Sequence, residues 1–330
     1  MTPFTYSAPA TVQEALQAYG QAKNPRFIGG GTNLLDLMKM GVEQPAEIID
    51  INQLPLKQIE ERNGGLRIGA LVSNTDAANH PLVRSRYPVL SRAILSGASQ
   101  QLRNMATMGG NLLQRTRCYY FYDPTFQECN KRNPGSGCGA LHGFNRIHAI
   151  LGQSPECIAV NPSDMSVALA ALDAVVQVRG PKSEREIPVV EFHRLPGKTP
   201  NIDTNLRPGE LITAIDLPAI SFGRNSCYLK IRDRQSYAFA LVSVAALADV
   251  EPGGTVREAR IALGGVALKP WRARRAEAAL KGRKLNDETL RAAADSELRD
   301  AHGYEHNEFK IELAKRAIRR AVKLAAAQQS

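Results

Sequence analysis

Long hydrophobic runs are missing from this chain of 330 residues: no stretch of about 18 apolar residues occurs, so no helical membrane span is expected. The opening MTPFTYSAPATVQEAL has neither a basic leader nor an apolar segment, and no signal peptide is legible in it. Low-complexity tracts are also absent, and with 43% hydrophobic and 22% charged residues the chain is composed like an ordinary soluble globular protein. Lysine and arginine outnumber the acids by 42 to 32, a net charge of +10. These basic residues are scattered and do not interleave with aromatics as in base-stacking modules, so a nucleic-acid partner is not expected. There is no nucleophile elbow, no H-E-x-x-H helix and no evident acid–base pair. A complete substrate-transforming centre is therefore not legible. The length exceeds what one core usually supports, which makes two or more domains the expectation.

Cysteine is scarce too, at five residues, yet four of the five fall between Cys118 and Cys157. Without an export signal a disulfide framework is not expected, which leaves metal ligands or unlinked thiols. Successive members Cys118, Cys129, Cys138 and Cys157 are separated by 10, 8 and 18 residues. Structural zinc sites bring ligands in pairs two to four residues apart, and ferredoxins use similarly tight spacing. Long spacings imply a loop that wraps its metal, and NKRNPGSGCG supplies the glycine, proline and asparagine of such a loop. Four thiolates suit either zinc or an iron–sulfur cluster, and His142 or His148 could replace one of them. Cys227 stands apart and reads as a small buried hydrophobe.

A second site is legible near the N-terminus. Thr11 and Glu14 stand at capping-box spacing before a short helix. RFIGGGTNLLDLMKMG then reads as a strand, a glycine turn and a helix. Such a turn offers backbone N–H groups and a helix N-terminus to a phosphate. The three consecutive glycines fit neither the G-x-G-x-x-G fingerprint nor a P-loop, so the turn is neither Rossmann nor Walker A. TMGGNLLQ, from Thr107 to Gln114, echoes GGGTNLL, which suggests two contacts on one long ligand such as a dinucleotide. Asn111 precedes Cys118 by only seven residues, within roughly 25 Å even for a fully extended chain. A nucleotide cofactor and a metal centre would thus be neighbours, an arrangement suited to electron transfer.

RFIGGGTNLLDLMK, GASQQLRNMATMGGNLLQRTRC, NPSDMSVALAALDA and KIRDRQSYAFALVSVAA together resemble the flavin subunits of molybdenum-containing hydroxylases, the group that includes xanthine dehydrogenase and carbon monoxide dehydrogenase. Within it the chain is most similar to the flavin subunits of bacterial periplasmic aldehyde oxidases. The resemblance implies an α+β fold: a two-part FAD-binding domain over residues 1–222, then a smaller sheet-plus-helices domain over 223–330. The first would divide into about 1–55 and 56–222, with the cysteine insert at 115–158. FAD contacts are implied at Phe27, Ile28, Gly29, Gly30, Gly31, Thr32, Asn33 and Leu34, at Thr107, Gly109, Gly110 and Asn111, and at Asp164, Leu211 and Lys230. Asp164 would also stabilise the N-terminus of the helix it opens.

Most members of the group lack the insert. In the aldehyde oxidase flavin subunit, and in a related benzoyl-CoA reductase subunit, it binds a [4Fe–4S] cluster, which implies the same for Cys118, Cys129, Cys138 and Cys157. Substrate would be oxidised at a large molybdenum-cofactor subunit, and a small [2Fe–2S] subunit would relay electrons to FAD in this chain, which passes them to an external acceptor. The three chains would form a heterotrimer, placed in the periplasm through a signal-bearing partner, with the cytoplasm as the alternative. Two rival functions are a zinc-stapled nucleotide-binding protein without redox role and a self-sufficient flavin reductase. Arg115, Arg117, Lys131 and Arg132 border the cysteines, and positive charge there would favour a reduced cluster.

Overall fold

The computed structural model describes residues 1–328. The helix Val12–Gln21 starts at Thr11 with the expected capping box: the Thr11 hydroxyl accepts from the Glu14 N–H, and the Glu14 carboxylate accepts from the Thr11 N–H. It leads into a parallel three-stranded sheet ordered Thr5–Ser7, Glu47–Asp50, Pro25–Ile28. The strand, glycine turn and helix read from RFIGGGTNLLDLMK follow, with the helix at Leu34–Lys39.

A five-stranded antiparallel sheet comes next, ordered Ile59–Arg62, Gly65–Gly69, Leu211–Leu217, Val175–Arg179, Glu184–Pro188. Helices Pro88–Ser96 and Asp164–Ala171 share one apolar core with it. All eight residues of Asp164–Ala171 are buried, so this segment shows no polar face and its start is marked only by its cap. The Ser163 hydroxyl accepts from the Ser166 N–H there.

The C-terminal part is a four-stranded antiparallel sheet ordered Trp271–Arg272, Val256–Gly264, Val242–Val250, Ser226–Ile231, with three helices at Arg274–Leu280, Asp287–Leu298 and Phe309–Ala327. The near-continuous apolar run in Val242–Val250 has a simple cause, burial on both faces. Val242, Val244, Ala246 and Ala248 pack with the C-terminal helices, whereas Ala245 and Leu247 join the core of the N-terminal helices. The apolar run SYAFALVSVAALADV reads in the sequence as one strand, but the strand starts only at Val242. Tyr237 adopts φ +50°, and Tyr237, Ala238 and Phe239 leave the sheet to line a cleft.

Lys310, near the start of the last helix, is fully buried and donates to the carbonyls of His148 (2.7 Å) and Gly265 (2.6 Å). Burial pushes its ammonium down from 10.5 to about 7. Between those values the unfolded chain binds a proton that the folded chain lacks, so this residue makes stability rise with pH from about 7 upward. The stability of the protein relative to Lys310→Met should therefore increase from pH 7 to pH 9, by at most about 1.4 kcal/mol per pH unit. Parallel pH profiles of the two proteins in urea unfolding would refute this.

Candidate functional site

The two glycine loops touch. A Cβ on Gly30 would fall 1.8 Å from the Met105 carbonyl oxygen, and one on Gly29 would stand 3.1 Å from the Thr107 hydroxyl. Gly31, at φ +69°, makes the turn. Only glycine lets the first loop lie against the backbone that enters the second. Behind it, Thr107 caps the short helix Met108–Leu112 by accepting from the Gly110 N–H at 3.1 Å.

The loops line one cleft of about 600 Å³, in the usual range for ligand pockets. Phe27, Ile28, Gly29, Gly30, Gly31, Thr32, Asn33 and Leu34 all form its wall, as do Thr107, Gly110, Asn111, Asp164 and Lys230. Gly109 and Leu211 lie behind it. Gly109 is buried with its N–H donating to Ala70, and Leu211 packs with Ala15, Leu16, Leu54 and Leu71.

The two loop asparagines organise the wall and do not cap helices. Asn33 accepts from the Arg115 N–H (2.9 Å) and donates to the Tyr122 hydroxyl (3.2 Å), tying the first loop to the cysteine segment. Asn111 donates to Asn74 (2.6 Å) and accepts from Ser163 (2.7 Å) and Gln114 (2.6 Å). Asp164 and Lys230 form a buried ion pair at 2.8 Å, with side chains 7% and 5% exposed. Lys230 also donates to the Ser96 carbonyl (3.0 Å), and the Tyr228 hydroxyl donates to Asp164 (2.6 Å). Burial and the Asp164 charge keep the Tyr228 phenol well above its ordinary value, so it stays a donor.

The cleft wall runs directly into the cysteine segment. Arg117 lines the cleft, pairs with Asp36 at 3.3 Å, bonds the Tyr122 hydroxyl and lies over the rings of Tyr122 (5.4 Å) and Phe239 (5.2 Å). Its neighbour Cys118 is buried in one cluster with Phe121, Cys129 and Cys157. Cys129 and Cys138 face each other across an isolated bridge, and the Cys157 thiol lies beside Cys138. Cys118, Cys129 and Cys157 thus share one buried cluster, and Cys138 lies across the bridge from Cys129. Burial pushes the Cys118 thiol up to about 12, whereas the neighbouring Cys157 thiol holds Cys138 below its ordinary value. Among the described residues, no three Cys, His, Asp or Glu side chains form a compact group able to grip a single metal ion.

The basic residues around these thiols are mostly matched. Arg115 binds Asp203 (2.8 Å) and Glu43 (2.5 Å), and the buried Lys131 pairs with the same Asp203. Arg132 donates to the carbonyls of Tyr120 (3.1 Å), Pro124 (3.4 Å) and Phe126. The positive charge that these four residues bring to the cysteines is correspondingly offset, since Arg115, Arg117 and Lys131 face carboxylates. The Asp203 carboxyl is held below its usual range by Lys131 and Arg115, against its own burial.

Three features of the wall were not legible in the sequence. Phe239 and Tyr237 sat inside an apparent strand, and Asn74 carried no motif. Of the two candidate histidines, His142 is exposed, whereas His148 is buried with its Nε2 3.1 Å from the Cys118 sulfur.

The family described as the FAD binding domain in molybdopterin dehydrogenase matches residues 2–220, and the CO dehydrogenase flavoprotein C-terminal domain matches 227–325. The chain is 53% identical to the aldehyde oxidoreductase FAD-binding subunit PaoB of Escherichia coli (strain K12), covering 96% of each. It is 30% identical to the glyceraldehyde dehydrogenase medium chain of Sulfolobus acidocaldarius, over 88% of this chain and 85% of that one. A solved structure of carbon monoxide dehydrogenase from Hydrogenophaga pseudoflava is similar with a TM-score of 0.77 at 28% identity, covering 99% of this chain and 98% of that one. An α+β flavoprotein with abutting glycine loops and these relatives belongs to the FAD-binding subunits of the molybdenum hydroxylases, oxidoreductases of the aldehyde oxidoreductase and carbon monoxide dehydrogenase type.

Proposed function

We propose that this chain is the electron-transfer flavoprotein subunit of a molybdenum-dependent aldehyde oxidoreductase. In this reading FAD lies in the cleft, Cys118, Cys129, Cys138 and Cys157 hold a [4Fe–4S] cluster, and the partners are a large molybdenum-cofactor subunit and a small [2Fe–2S] subunit. One observation carries it: the wall formed by the two glycine loops continues through Arg117 into the buried Cys118. The domain division at about residue 222, export with a signal-bearing partner and an external electron acceptor belong to the same reading.

When bound, the flavin and the cluster supply the electron transfer itself. The chain's part is to hold and exclude. Backbone N–H groups of the glycine loops suit a pyrophosphate, as in other phosphate-binding turns. Asp164 and Lys230 present paired charges at the wall, while Ile94, Leu102 and Met165 give it apolar surface. The apolar packing of Phe121, Ala159 and Leu268 shields Cys118, Cys129 and Cys157 from water.

Four cysteines on one segment supply the thiolate count that a [4Fe–4S] cluster takes, one per iron. A single tetrahedral ion needs all four sulfurs about 2.3 Å from one point, whereas a cubane spreads its thiolates over four irons. The 53% identity to an aldehyde oxidoreductase subunit supports the aldehyde class. Exposed Tyr119, Phe126 and Phe144 on the cysteine segment are apolar surface suited to a partner chain. Cys129→Ser should lose iron but keep FAD, as read by iron analysis and flavin absorbance. Full retention of iron would remove Cys129 from the site.

A further inference from the structure

Beside Cys118 lies a buried group that the proposed chemistry has not used. His148 is 1% exposed, and its Nε2 stands 3.1 Å from the Cys118 sulfur. Its Nδ1 is buried without a hydrogen-bond partner among the described residues.

A neutral imidazole has one N–H donor and one acceptor nitrogen. With the proton on Nδ1, a buried donor would be left unpaired, and the Nε2 lone pair would face a sulfur that, as a cluster-bound thiolate, can only accept. With the proton on Nε2, the donor points at that sulfur and only a lone pair stays unmatched. The second arrangement is the lower in energy, because an unmade buried N–H carries its full desolvation penalty.

The ring is also held from outside the cysteine segment. The His148 carbonyl accepts from Lys310 Nζ (2.7 Å) and from Asn307 Nδ2 (3.2 Å), and the His148 N–H donates to the Asn145 carbonyl (2.9 Å). Asn145 in turn accepts from the His306 N–H at 3.0 Å. The start of the C-terminal helix therefore clamps the backbone that carries the imidazole, so the aim of Nε2 at Cys118 is set by the C-terminal part of the chain.

We propose that His148 is a positioning residue that donates an Nε2–H hydrogen bond to the Cys118 thiolate and so raises the reduction potential of the cluster. The proposal rests on the reading of Cys118 as a ligand of a [4Fe–4S] cluster. Reduction adds one negative charge to the cluster and its sulfurs, and a donor aimed at sulfur binds that state more strongly. Second, the bond ties the potential to the seating of the C-terminal helix.

The test uses the purified complex with His148→Leu and His148→Gln, measuring iron content, FAD content and the cluster midpoint by potentiometric titration. The leucine variant should keep its iron and FAD while the reduced-to-oxidised ratio at a fixed potential falls roughly tenfold, equivalent to 59 mV for one electron. Glutamine, whose amide N–H can reach the sulfur, should restore much of the shift. Iron-free wild-type protein would defeat the cluster reading itself. Iron-replete wild type with an unchanged midpoint in His148→Leu would defeat the hydrogen bond alone, and loss of iron from both variants would make His148 a ligand or a scaffold instead.

Discussion

Gly30→Ala should strip the protein of tightly held FAD. The added Cβ would fall 1.8 Å from the Met105 carbonyl oxygen, a backbone atom that cannot swing aside like the end of a side chain. The two glycine loops must then separate, and both line the cleft. Overpacking of this kind costs about 1–3 kcal/mol, which corresponds to roughly 10- to 100-fold weaker binding if it falls on the bound state. Gly20→Ala is the control: Gly20 lies inside the helix Val12–Gln21, with nothing within 4 Å of an added Cβ. It should leave FAD unchanged and stabilise the helix slightly. Fluorescence titration of flavin into the apoproteins reads both, and wild-type affinity in Gly30→Ala would show that the loops do not meet around the ligand.

Asp164→Ala should be among the most destabilising single changes in the chain. It leaves Lys230 and the Tyr228 hydroxyl without their buried acceptor, and among the described residues Lys230 keeps the carbonyl of Ser96 as its partner. Breaking a buried pair from one side costs about 3–5 kcal/mol, a fall of the melting temperature on the order of 10 °C. Lys230→Met should cost about as much, since it strands the carboxylate instead. The double replacement Asp164→Leu with Lys230→Met should recover most of the loss, because the desolvation of both charges is removed together. It should not recover FAD binding if these charges meet the ligand. Additive losses in thermal unfolding would mean that the pair is not coupled, and full FAD binding by the double variant would place it outside the site.

How much of this could be read from residues follows from where each signal resides. The helix start at Thr11 was legible because its capping side chain is local and its partner lies three residues on. The glycine loops were legible for a similar reason, although their mutual contact was not: Gly30 and Met105 are brought together only by the fold. Asn33 and Asn111 looked like members of a repeated loop, and the structure gives them a stitching role through Arg115, Tyr122, Asn74 and Ser163. The strand over SYAFAL was over-read because its apolar residues serve a cleft and not a sheet. The cation field around the cysteines was over-read for another reason, since Asp203 and Glu43 are distant in sequence from Arg115 and Lys131. His148 shows the same limit: the sequence offers it only as a possible substitute ligand, as it does His142, and only tertiary packing puts it against Cys118.

The central claim is that one chain holds a flavin and a cluster side by side. Its most direct measurement is the cofactor content of the protein purified without oxygen, by metal analysis, acid-labile sulfide and the flavin released on denaturation. The account predicts a brown protein with one FAD, four irons and four sulfides per chain, and loss of the iron but not the FAD in Cys129→Ser. A yellow protein with FAD and no iron, or a colourless one with a single zinc, would contradict it.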